Sequence, residues 1–337
     1  MVLFLFCLLN VLFAAPEPEL NWVEAKDGGW LALTRYKNEG GPPVVLCHGI
    51  SSNHYFWDLE PGRSLALNLH EAGFDVWNMD LRGHGTAEKN PKGKRQRPGW
   101  TIDTYGQQDL PAAFAHVQQA TGKERMHYVG HSLGGMVLAV YMAHSGRDVL
   151  ASAVAVGTPL DFRDPDLVTK VMFKGAPLAK NIPFLPTPLG ARYLGLAKRT
   201  APGHFDEMVM NPANMTPASE TLTLRTVVSP LSKGEIRQFS ALPDGEFRST
   251  DGQILYREAL EEIDLPMLFI AGRADRIVAA DMVRTYHDSL GTMNKKFVVA
   301  SVTNGFHGDY GHLDLGIGNH AEEDVFPLIR TWLEIWP

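Results

Sequence analysis

The sequence predicts an α/β protein with a mostly parallel central sheet, an antiparallel start, helices on both faces and a helical insertion. Short apolar runs alternate along the chain with stretches whose apolar residues recur at three- and four-residue steps. Strands and helices that alternate in this way build a parallel sheet covered by helices. The later runs are apolar nearly throughout, which is typical of strands buried on both faces.

The first predicted elements are two strands joined by a tight turn. The segments "NWVEA" and "WLALTRY" flank "KDGG", which is a hairpin signal. We therefore expect the sheet to begin with an antiparallel pair, before the parallel strands follow.

The remaining strands and helices follow in alternation. Several helical stretches end at a glycine, as helices commonly do. Strands are expected at residues 31–36, 43–49, 74–80, 126–130, 151–157, 266–272 and 295–301, and helices at residues 63–73, 110–122, 134–146, 279–291 and 322–336.

The stretch from about Leu160 to Leu255 interrupts this alternation. It is rich in proline ("KNIPFLPTPLG") and methionine ("FDEMVMNPANM") and holds no convincing strand. We interpret residues 160–255 as a mainly helical cap, inserted into an α/β core made of residues 20–159 and 256–337.

The chain begins with an apolar leader, residues 1–15, which only Asn10 interrupts. Its length fits the core of a signal peptide better than a bilayer span, which needs about 20 apolar residues. We expect a protein that is exported (secreted or periplasmic) or membrane-associated through this segment. A buried or membrane-resting N-terminal helix is the alternative.

The net charge argues against a nucleic-acid-binding protein, and the cysteine content argues against a protein stabilised by disulfides. The net charge of −7 over 337 residues argues against nucleic-acid binding. The basic run at residues 89–97 is rich in turn formers, and we interpret it as a solvated loop, with a phosphate site as the less favoured alternative. Cys7 and Cys47 are the two cysteines, so no disulfide framework is expected.

Ser132 lies in the pentapeptide "GHSLG", between a predicted strand and a predicted helix. This is the Gly-x-Ser-x-Gly pattern of a nucleophile elbow. The tight turn forces the serine into an unfavourable backbone conformation, and the flanking Gly130 and Gly134 let strand and helix approach closely. The pentapeptide alone is a weak signal, but its position between strand and helix makes it a strong one. We predict that Ser132 is a catalytic nucleophile.

A serine nucleophile needs a base, and the base needs an orienting carboxylate. Proteins with such an elbow carry them in the chain order serine, acid, histidine. Asp275 follows the late strand of "PMLFIAGRADRIV" and is the predicted acid, with a solvated loop aspartate as the alternative. Asp264 precedes that strand, at its wrong end, and Asp281 is expected to open the next helix.

The base is expected in the glycine-rich loop "NGFHGDYGHLDLG" after the last strand. We predict His312 as the base, because it lies just before the final helical region, and we expect His307 to be supporting or merely solvated. A metal site from His307, Asp309, His312 and Asp314 fits by composition, but no separate ligand pattern supports it. We therefore predict neither a metal nor a cofactor.

Two backbone N–H groups are predicted to stabilise an oxyanion. One is the N–H of Leu133, at the start of the helix after the serine. The other is the N–H of Ile50, in the loop after the strand "VVLCHG". His48 is interpreted as a structural residue of that loop, and Cys47 as a small core residue.

These residues carry a family resemblance. The chain resembles an α/β-hydrolase, and more narrowly the acid-lipase-like and esterase branch, over nearly all of its length after the leader. The resemblance implies a triad of Ser132, Asp275 and His312, an oxyanion hole at Ile50 and Leu133, and a purely structural role for "RGHG" at residues 82–85. The matching stretches are "DGGWLALTRY", "LCHGISSN", "SLALNLHEAGFDVWNMDLRGHG", "QQDLPAAFAHVQQATG", "MHYVGHSLGGM", "AGRADRIV" and "YGHLDLGIG".

Three functional hypotheses remain open from the sequence. The first is a serine ester hydrolase of the esterase and lipase kind, which acts on small-molecule esters with hydrophobic acyl groups and for which contact with a membrane or lipid interface is an expectation. The second is a catalytically silent relative that binds a hydrophobic ligand. The third is an acyltransferase that uses an alcohol in place of water. Dehalogenases and most epoxide hydrolases of this superfamily carry aspartate at the position of Ser132, and polyhydroxyalkanoate synthases carry cysteine, so a serine favours ester chemistry.

Overall fold

A computed structural model of the chain describes residues 17–162, 184–190, 206–241 and 245–336. The leader predicted at residues 1–15 lies outside this part. Within the described residues, no helix is both long enough and apolar enough to cross a bilayer.

Eight strands form the central sheet, in the order β1-β2-β4-β3-β5-β6-β9-β10, and two more strands pair in a separate small sheet. The strands are β1 (Glu19–Glu24), β2 (Trp30–Tyr36), β3 (Pro43–Cys47), β4 (Asp75–Asp80), β5 (Met126–His131), β6 (Leu150–Val156), β7 (Phe184–Leu185), β8 (Leu231–Ser232), β9 (Met267–Gly272) and β10 (Lys295–Ala300).

Strand direction confirms the predicted sheet. β2 pairs antiparallel with both β1 and β4, whereas every neighbouring pair from β4 to β10 is parallel. The central strands β3, β4, β5 and β9 are buried at every residue, as their continuous apolar sequence predicts. Because these strands are parallel, the loops that follow them meet at one edge of the sheet.

The helices lie in chain order between the strands. They are α1 (Leu65–Glu71), α2 (Ile102–Thr104), α3 (Leu110–Thr121), α4 (Leu133–Ser145), α5 (Asp206–Val209), α6 (Pro217–Thr226), α7 (Lys233–Ala241), α8 (Tyr256–Ala259), α9 (Ala280–Ser289), α10 (Asp314–Ile317), α11 (Ala321–Asp324) and α12 (Phe326–Ile335).

Two apolar cores, one on each face of the sheet, hold these layers together. In β3, Val45 and Cys47 face the core formed with α3, α4 and α9, while Val44 and Leu46 face the core formed with α1 and α12. This alternation follows from the two-residue period of a strand. Helices on both faces were predicted, and the structure confirms them.

Two details differ from the sequence expectations. The helix expected at residues 322–336 is divided into α11 and α12, and Pro327 occupies the first turn of α12, where proline is tolerated. The region after β6 was expected to hold no strand, yet β7 pairs antiparallel with β8. These strands of two residues each are too short to produce a periodic sequence pattern. We call the described residues 184–190 and 206–241 the inserted segment, since they lie between β6 and β9.

Candidate active site

The turn between β5 and α4 holds Ser132 in a strained conformation. Its φ of 51° and ψ of −115° lie in a region that residues other than glycine rarely adopt. The neighbouring glycines are required by close contact: a Cβ on Gly130 would come within 2.6 Å of backbone atoms of Gly134 and Gly135. A Cβ on Gly134 would come within 2.7 Å of the carbonyl oxygen of Cys47. Strand and helix therefore meet backbone to backbone at the serine.

Asp275 and His312 are brought together by the loops that follow β9 and β10. The distance from His312 Nδ1 to Asp275 Oδ2 is 2.7 Å, and both side chains are buried. The second carboxylate oxygen, Oδ1, accepts hydrogen bonds from the N–H groups of Ile277 (2.9 Å) and Val278 (2.8 Å). Because a carboxylate can only accept, this contact favours the tautomer of a neutral His312 ring that has its proton on Nδ1 and its lone pair on Nε2.

The ring of His312 lies beside the serine turn. The N–H of Ser132 donates to the carbonyl oxygen of Val156, at 2.8 Å. A Cβ built on the next residue, Gly157, would lie 3.3 Å from His312 Nδ1. The structure therefore gathers Ser132, His312 and Asp275, which were predicted from three distant parts of the sequence, at one edge of the sheet.

His131 is a buried residue of this site that the sequence did not identify. Its ring stacks on Phe56 with centroids 4.0 Å apart, and its centroid lies 4.6 Å from that of His312. Its Nε2–H donates to the carbonyl oxygen of His312, at 3.1 Å. Burial, and secondly the neighbouring His312, hold the pKa of His131 well below its usual range. A neutral ring therefore supports the backbone of His312, and no local sequence pattern marks such a contact.

The loop after β3 passes close to the serine. A Cβ built on Gly49 would lie 3.2 Å from Ser132 Cβ. Among the described residues, neither the N–H of Ile50 nor that of Leu133 donates a hydrogen bond. Two N–H groups that have no acceptor in the described part of the chain therefore lie on the loop and on the helix that adjoin the serine.

His48 and Cys47 have the structural roles that were expected. His48 is fully buried; its Nδ1 donates to the carbonyl oxygen of Gly49 (2.8 Å) and its Nε2 accepts from the N–H of Leu81 (3.2 Å). Burial lowers the pKa of His48 to about 3, so its ring is neutral. Burial also raises the pKa of the Cys47 thiol to about 12, as expected for a core cysteine.

The loop at residues 82–85 is held by a buried arginine. Arg82 Nε donates to Asp109 Oδ1 at 2.7 Å, and its terminal nitrogens donate to Asp27. Burial raises the pKa of Asp109 to about 6, although Arg82 opposes this rise. An ion-pair network thus holds this loop in place.

His84, in the same loop, forms a buried ion pair with the inserted segment. His84 Nε2 lies 3.1 Å from Glu235 Oε1, and neither side chain is exposed. Burial alone would lower the pKa of His84, but the charge of Glu235 and its hydrogen bond raise it overall. Burial would likewise raise the pKa of Glu235, yet His84 and two hydrogen bonds from Ser232 lower it overall. Glu235 lies on α7, in a region where the sequence offered no motif.

The four residues considered for a metal do not form a cluster of ligand atoms in the described part of the chain. His307 is exposed and pairs through Nδ1 with Asp324, and the carboxylate of Asp309 accepts from the N–H of Val302. Within the described residues, the one group that brings three ligand atoms within 4.8 Å of one another is His307, His320 and Glu323, all exposed.

The two aspartates set aside in favour of Asp275 lie away from the site. Asp264 precedes β9, at the end of the strand opposite to Asp275, and its largely exposed carboxylate lies 3.8 Å from Arg147. Asp281 lies in the first turn of α9, where an acidic residue interacts favourably with the helix. Both expectations are confirmed.

Comparison with known proteins shows what the chain is similar to. The family described as "alpha/beta hydrolase fold" matches residues 42–307. Gastric triacylglycerol lipase of Rattus norvegicus is 32% identical over 178 residues, which are 51% of this chain and 43% of that protein. Triacylglycerol lipase 2 of Arabidopsis thaliana is 26% identical over 330 residues, 87% of this chain and 76% of that protein. The chain therefore spans less than half the length of the rat lipase that it matches.

Among solved structures, an esterase from Thermogutta terrifontis superposes with a TM-score of 0.63 at 19% identity. The superposition covers 94% of this chain and 98% of the esterase. At this level of identity the likeness shows a shared fold.

Proposed function

This chain belongs to the α/β-hydrolase family, and from that premise we propose that it is a serine hydrolase that cleaves carboxylic esters, with hydrophobic acyl groups as the favoured class. Ser132, His312 and Asp275 are the proposed catalytic triad, and the N–H groups of Ile50 and Leu133 the proposed oxyanion hole.

In the proposed reaction Ser132 Oγ attacks the ester carbonyl carbon while His312 Nε2 takes the hydroxyl proton. Asp275 holds the imidazole in the tautomer that this step needs and stabilises the imidazolium that forms. The N–H groups of Ile50 and Leu133 donate to the oxyanion, and each such contact contributes about 3 kcal/mol to lowering the barrier. His312 then protonates the leaving alcohol, and a water molecule hydrolyses the acyl-enzyme by the same route.

The hydrogen bond from His312 to Asp275 carries this proposal. It leaves Nε2 unprotonated, in a ring beside the turn that strains Ser132. The two unpaired N–H groups next to the serine support the oxyanion hole. The proposed mechanism requires one further contact, a hydrogen bond from Ser132 Oγ to His312 Nε2. Catalytic hydrogen bonds of this kind often reach their final length only when substrate binds.

The names of the relatives support the choice of substrate class. Two of the relatives above are named triacylglycerol lipases, so the substrates in their names are acyl esters of glycerol. The proline- and methionine-rich stretch between β6 and β9 fits an apolar acyl site, and we propose residues 160–255 as a cap over it. We also propose that residues 1–15 direct export or membrane association, which N-terminal sequencing of the mature protein tests.

The direct experiment compares the wild-type protein with Ser132→Ala on p-nitrophenyl esters of increasing acyl length. We expect turnover by the wild type, highest for the longer acyl groups, and loss of turnover in the variant. Equal turnover by the two proteins would refute the proposal. A silent ligand-binding protein would hydrolyse none of the esters. An acyltransferase would give transesterified products when alcohols are added.

A further inference from the structure

Two of the loops that carry proposed catalytic groups are hydrogen-bonded to the inserted segment. The first is the loop that carries His312, residues 309–314. The N–H of Leu313 donates to the carbonyl oxygen of Val209 at 2.9 Å, and Asn211 Nδ2 donates to that of Asp309 at 2.6 Å. The inserted segment therefore contacts this loop near both ends of the loop, at Asp309 and at Leu313.

Asn214 makes the central contact to the His312 loop. Its side chain is buried, and Nδ2 donates both to the carbonyl oxygen of Asp309 (2.9 Å) and to Asp314 Oδ2 (2.7 Å). Asp314, fully buried, also accepts from the N–H of Gly311 at 2.9 Å. One amide thus fixes the chain three residues before His312 and two residues after it.

The second loop, at residues 49–53, is held by Ser229. The N–H of Ser229 donates to the carbonyl oxygen of Ser51 (2.9 Å), and Ser51 Oγ donates to that of Ser229 (2.7 Å). Ser229 Oγ accepts from Asn53 Nδ2 (3.2 Å) and from the N–H of Gly85 (3.1 Å).

Ser51 needs such support because its backbone is strained. Its φ is 52°, a conformation that costs about 1–3 kcal/mol and persists only when neighbouring contacts impose it. Ser51 directly follows Ile50, so the contacts that fix Ser51 also fix the direction of the Ile50 N–H.

We propose that the inserted segment is part of the catalytic framework: Asn214 positions the loop that carries His312, and Ser229 positions the loop that carries the Ile50 N–H. This inference rests on the proposed function. It implies that residues 209–232 stay docked on the core during turnover. Asn214 and Ser229 touch no reacting atom, so they are positioning residues that act through His312 and Ile50.

The first arm of the test replaces one atom of the amide. Asn214→Asp keeps the size of the side chain but puts a carboxylate where the amide donated. The new carboxylate, the carboxylate of Asp314 and the carbonyl oxygen of Asp309 are then three acceptors that face one another without a donor. Since a misplacement of about 1 Å costs about 100-fold in rate, we expect kcat per active serine to fall about 10- to 100-fold, with KM little changed. Active serines are counted by titration with a fluorophosphonate, so a smaller folded fraction does not imitate the effect.

The pH dependence of Asn214→Asp separates positioning from general loss of structure. As the pH falls, the two facing carboxylates share one proton and regain one of the two lost hydrogen bonds, the one between residues 214 and 314. The ratio of variant to wild-type kcat, per titrated serine, is therefore expected to rise toward low pH. Thr221→Ala is the matched control, because Thr221 is exposed on α6 and its hydroxyl bonds only within that helix, to Pro217.

The second arm concerns Ser51 and Ser229. Ser51→Ala removes the hydroxyl bond to the Ser229 carbonyl oxygen but keeps the backbone bond between the two residues and the strained φ. Ser51→Gly removes the same hydroxyl bond and also the strain, and Ser229→Ala removes the bonds from Asn53 and Gly85 to the Ser229 hydroxyl. We expect kcat per titrated serine to fall about 10-fold in Ser51→Ala and in Ser229→Ala, and to fall less in Ser51→Gly.

The outcomes are distinct. If the wild type neither hydrolyses esters nor reacts with the fluorophosphonate, the proposed function fails. If the wild type is active and Asn214→Asp, Ser51→Ala and Ser229→Ala all match the Thr221→Ala control within about twofold in kcat, the positioning role is wrong although the function stands.

Discussion

Ser51 and Ser132 are the two residues other than glycine that have a positive φ in the described part of the chain, and they border the same site. Ser132 holds the hydroxyl at the turn into α4, and Ser51 lies directly after the Ile50 N–H. Such conformations cost stability, so surrounding contacts must impose them. The fold therefore has a strained residue at two points that flank the proposed active site, and each strain lowers the stability of the folded chain.

The carboxylate of Asp275 is expected to control the tautomer of His312. Asp275→Asn keeps an oxygen for the N–H groups of Ile277 and Val278 but turns its amide toward His312 Nδ1. The imidazole then loses its acceptor and adopts the wrong tautomer, so we expect kcat to fall about 10⁴-fold. Steady-state kinetics on a p-nitrophenyl ester measures this change. Asp264→Asn, at the opposite end of β9, is the control and is expected to retain activity.

The buried pair of His84 and Glu235 predicts a pH-dependent stability. Folding raises the pKa of His84 above its unfolded value of 6.5. Its contribution to the free energy of unfolding is therefore complete below pH 6.5 and is lost as the pH rises through the pKa of the folded state. Folding lowers the pKa of Glu235 below its unfolded value of 4.5. Its contribution to the free energy of unfolding is therefore present above pH 4.5 and is lost as the pH falls through the pKa of the folded state. The pair therefore stabilises the protein most between those two reference values.

Glu235→Gln tests this window. Near pH 5.5 the variant removes the charge that raises the pKa of His84, so burial shifts the ring toward its neutral form and the charge pairing is lost. We expect a loss of about 1–3 kcal/mol in the free energy of unfolding. The loss is expected to shrink at high pH, where His84 is neutral. Urea unfolding of both proteins across this pH range gives the difference, and a difference that does not change with pH would contradict the assignment.

The glycine after Leu133 is expected to admit no side chain. Gly134→Ala forces a Cβ to within 2.7 Å of the Cys47 carbonyl oxygen, a backbone atom that cannot move aside alone. We expect a loss of about 1–3 kcal/mol in stability, together with loss of activity through the displaced turn. Gly190→Ala is the control, since a Cβ there meets no atom within 4 Å. Thermal denaturation compares the two variants, and equal melting temperatures would contradict the packing argument.

The sequence predicted the features that local patterns encode. The run of apolar residues in β3, β4, β5 and β9 predicts a sheet buried on both faces, and the hairpin signal predicts its antiparallel start. The glycines around Ser132 predict the tight turn, because the strand and the helix that meet there approach too closely to leave room for a Cβ at these positions. Position in the chain was enough to prefer His312 over His307, which the structure places at the surface beside Asp324.

The sequence did not predict the contacts made by the inserted segment. Asn214, Ser229 and Glu235 bind loops that lie far from them in the chain, at separations of 100, 178 and 151 residues from Asp314, Ser51 and His84. An asparagine or serine in a loop is ordinary, and only the packing of the segment against the sheet gives it a partner. His131 was missed for the same reason, since its partner is a backbone carbonyl.

The central claim is that the hydroxyl of Ser132 is made nucleophilic by His312. Its most direct test is covalent labelling with a fluorophosphonate, with the modified residue identified by peptide mass spectrometry. We predict a single phosphonyl adduct on Ser132 in the wild type, and a rate of labelling reduced by at least about 10³-fold in His312→Ala. Absence of an adduct on Ser132, or labelling at the same rate without the imidazole, would contradict the account.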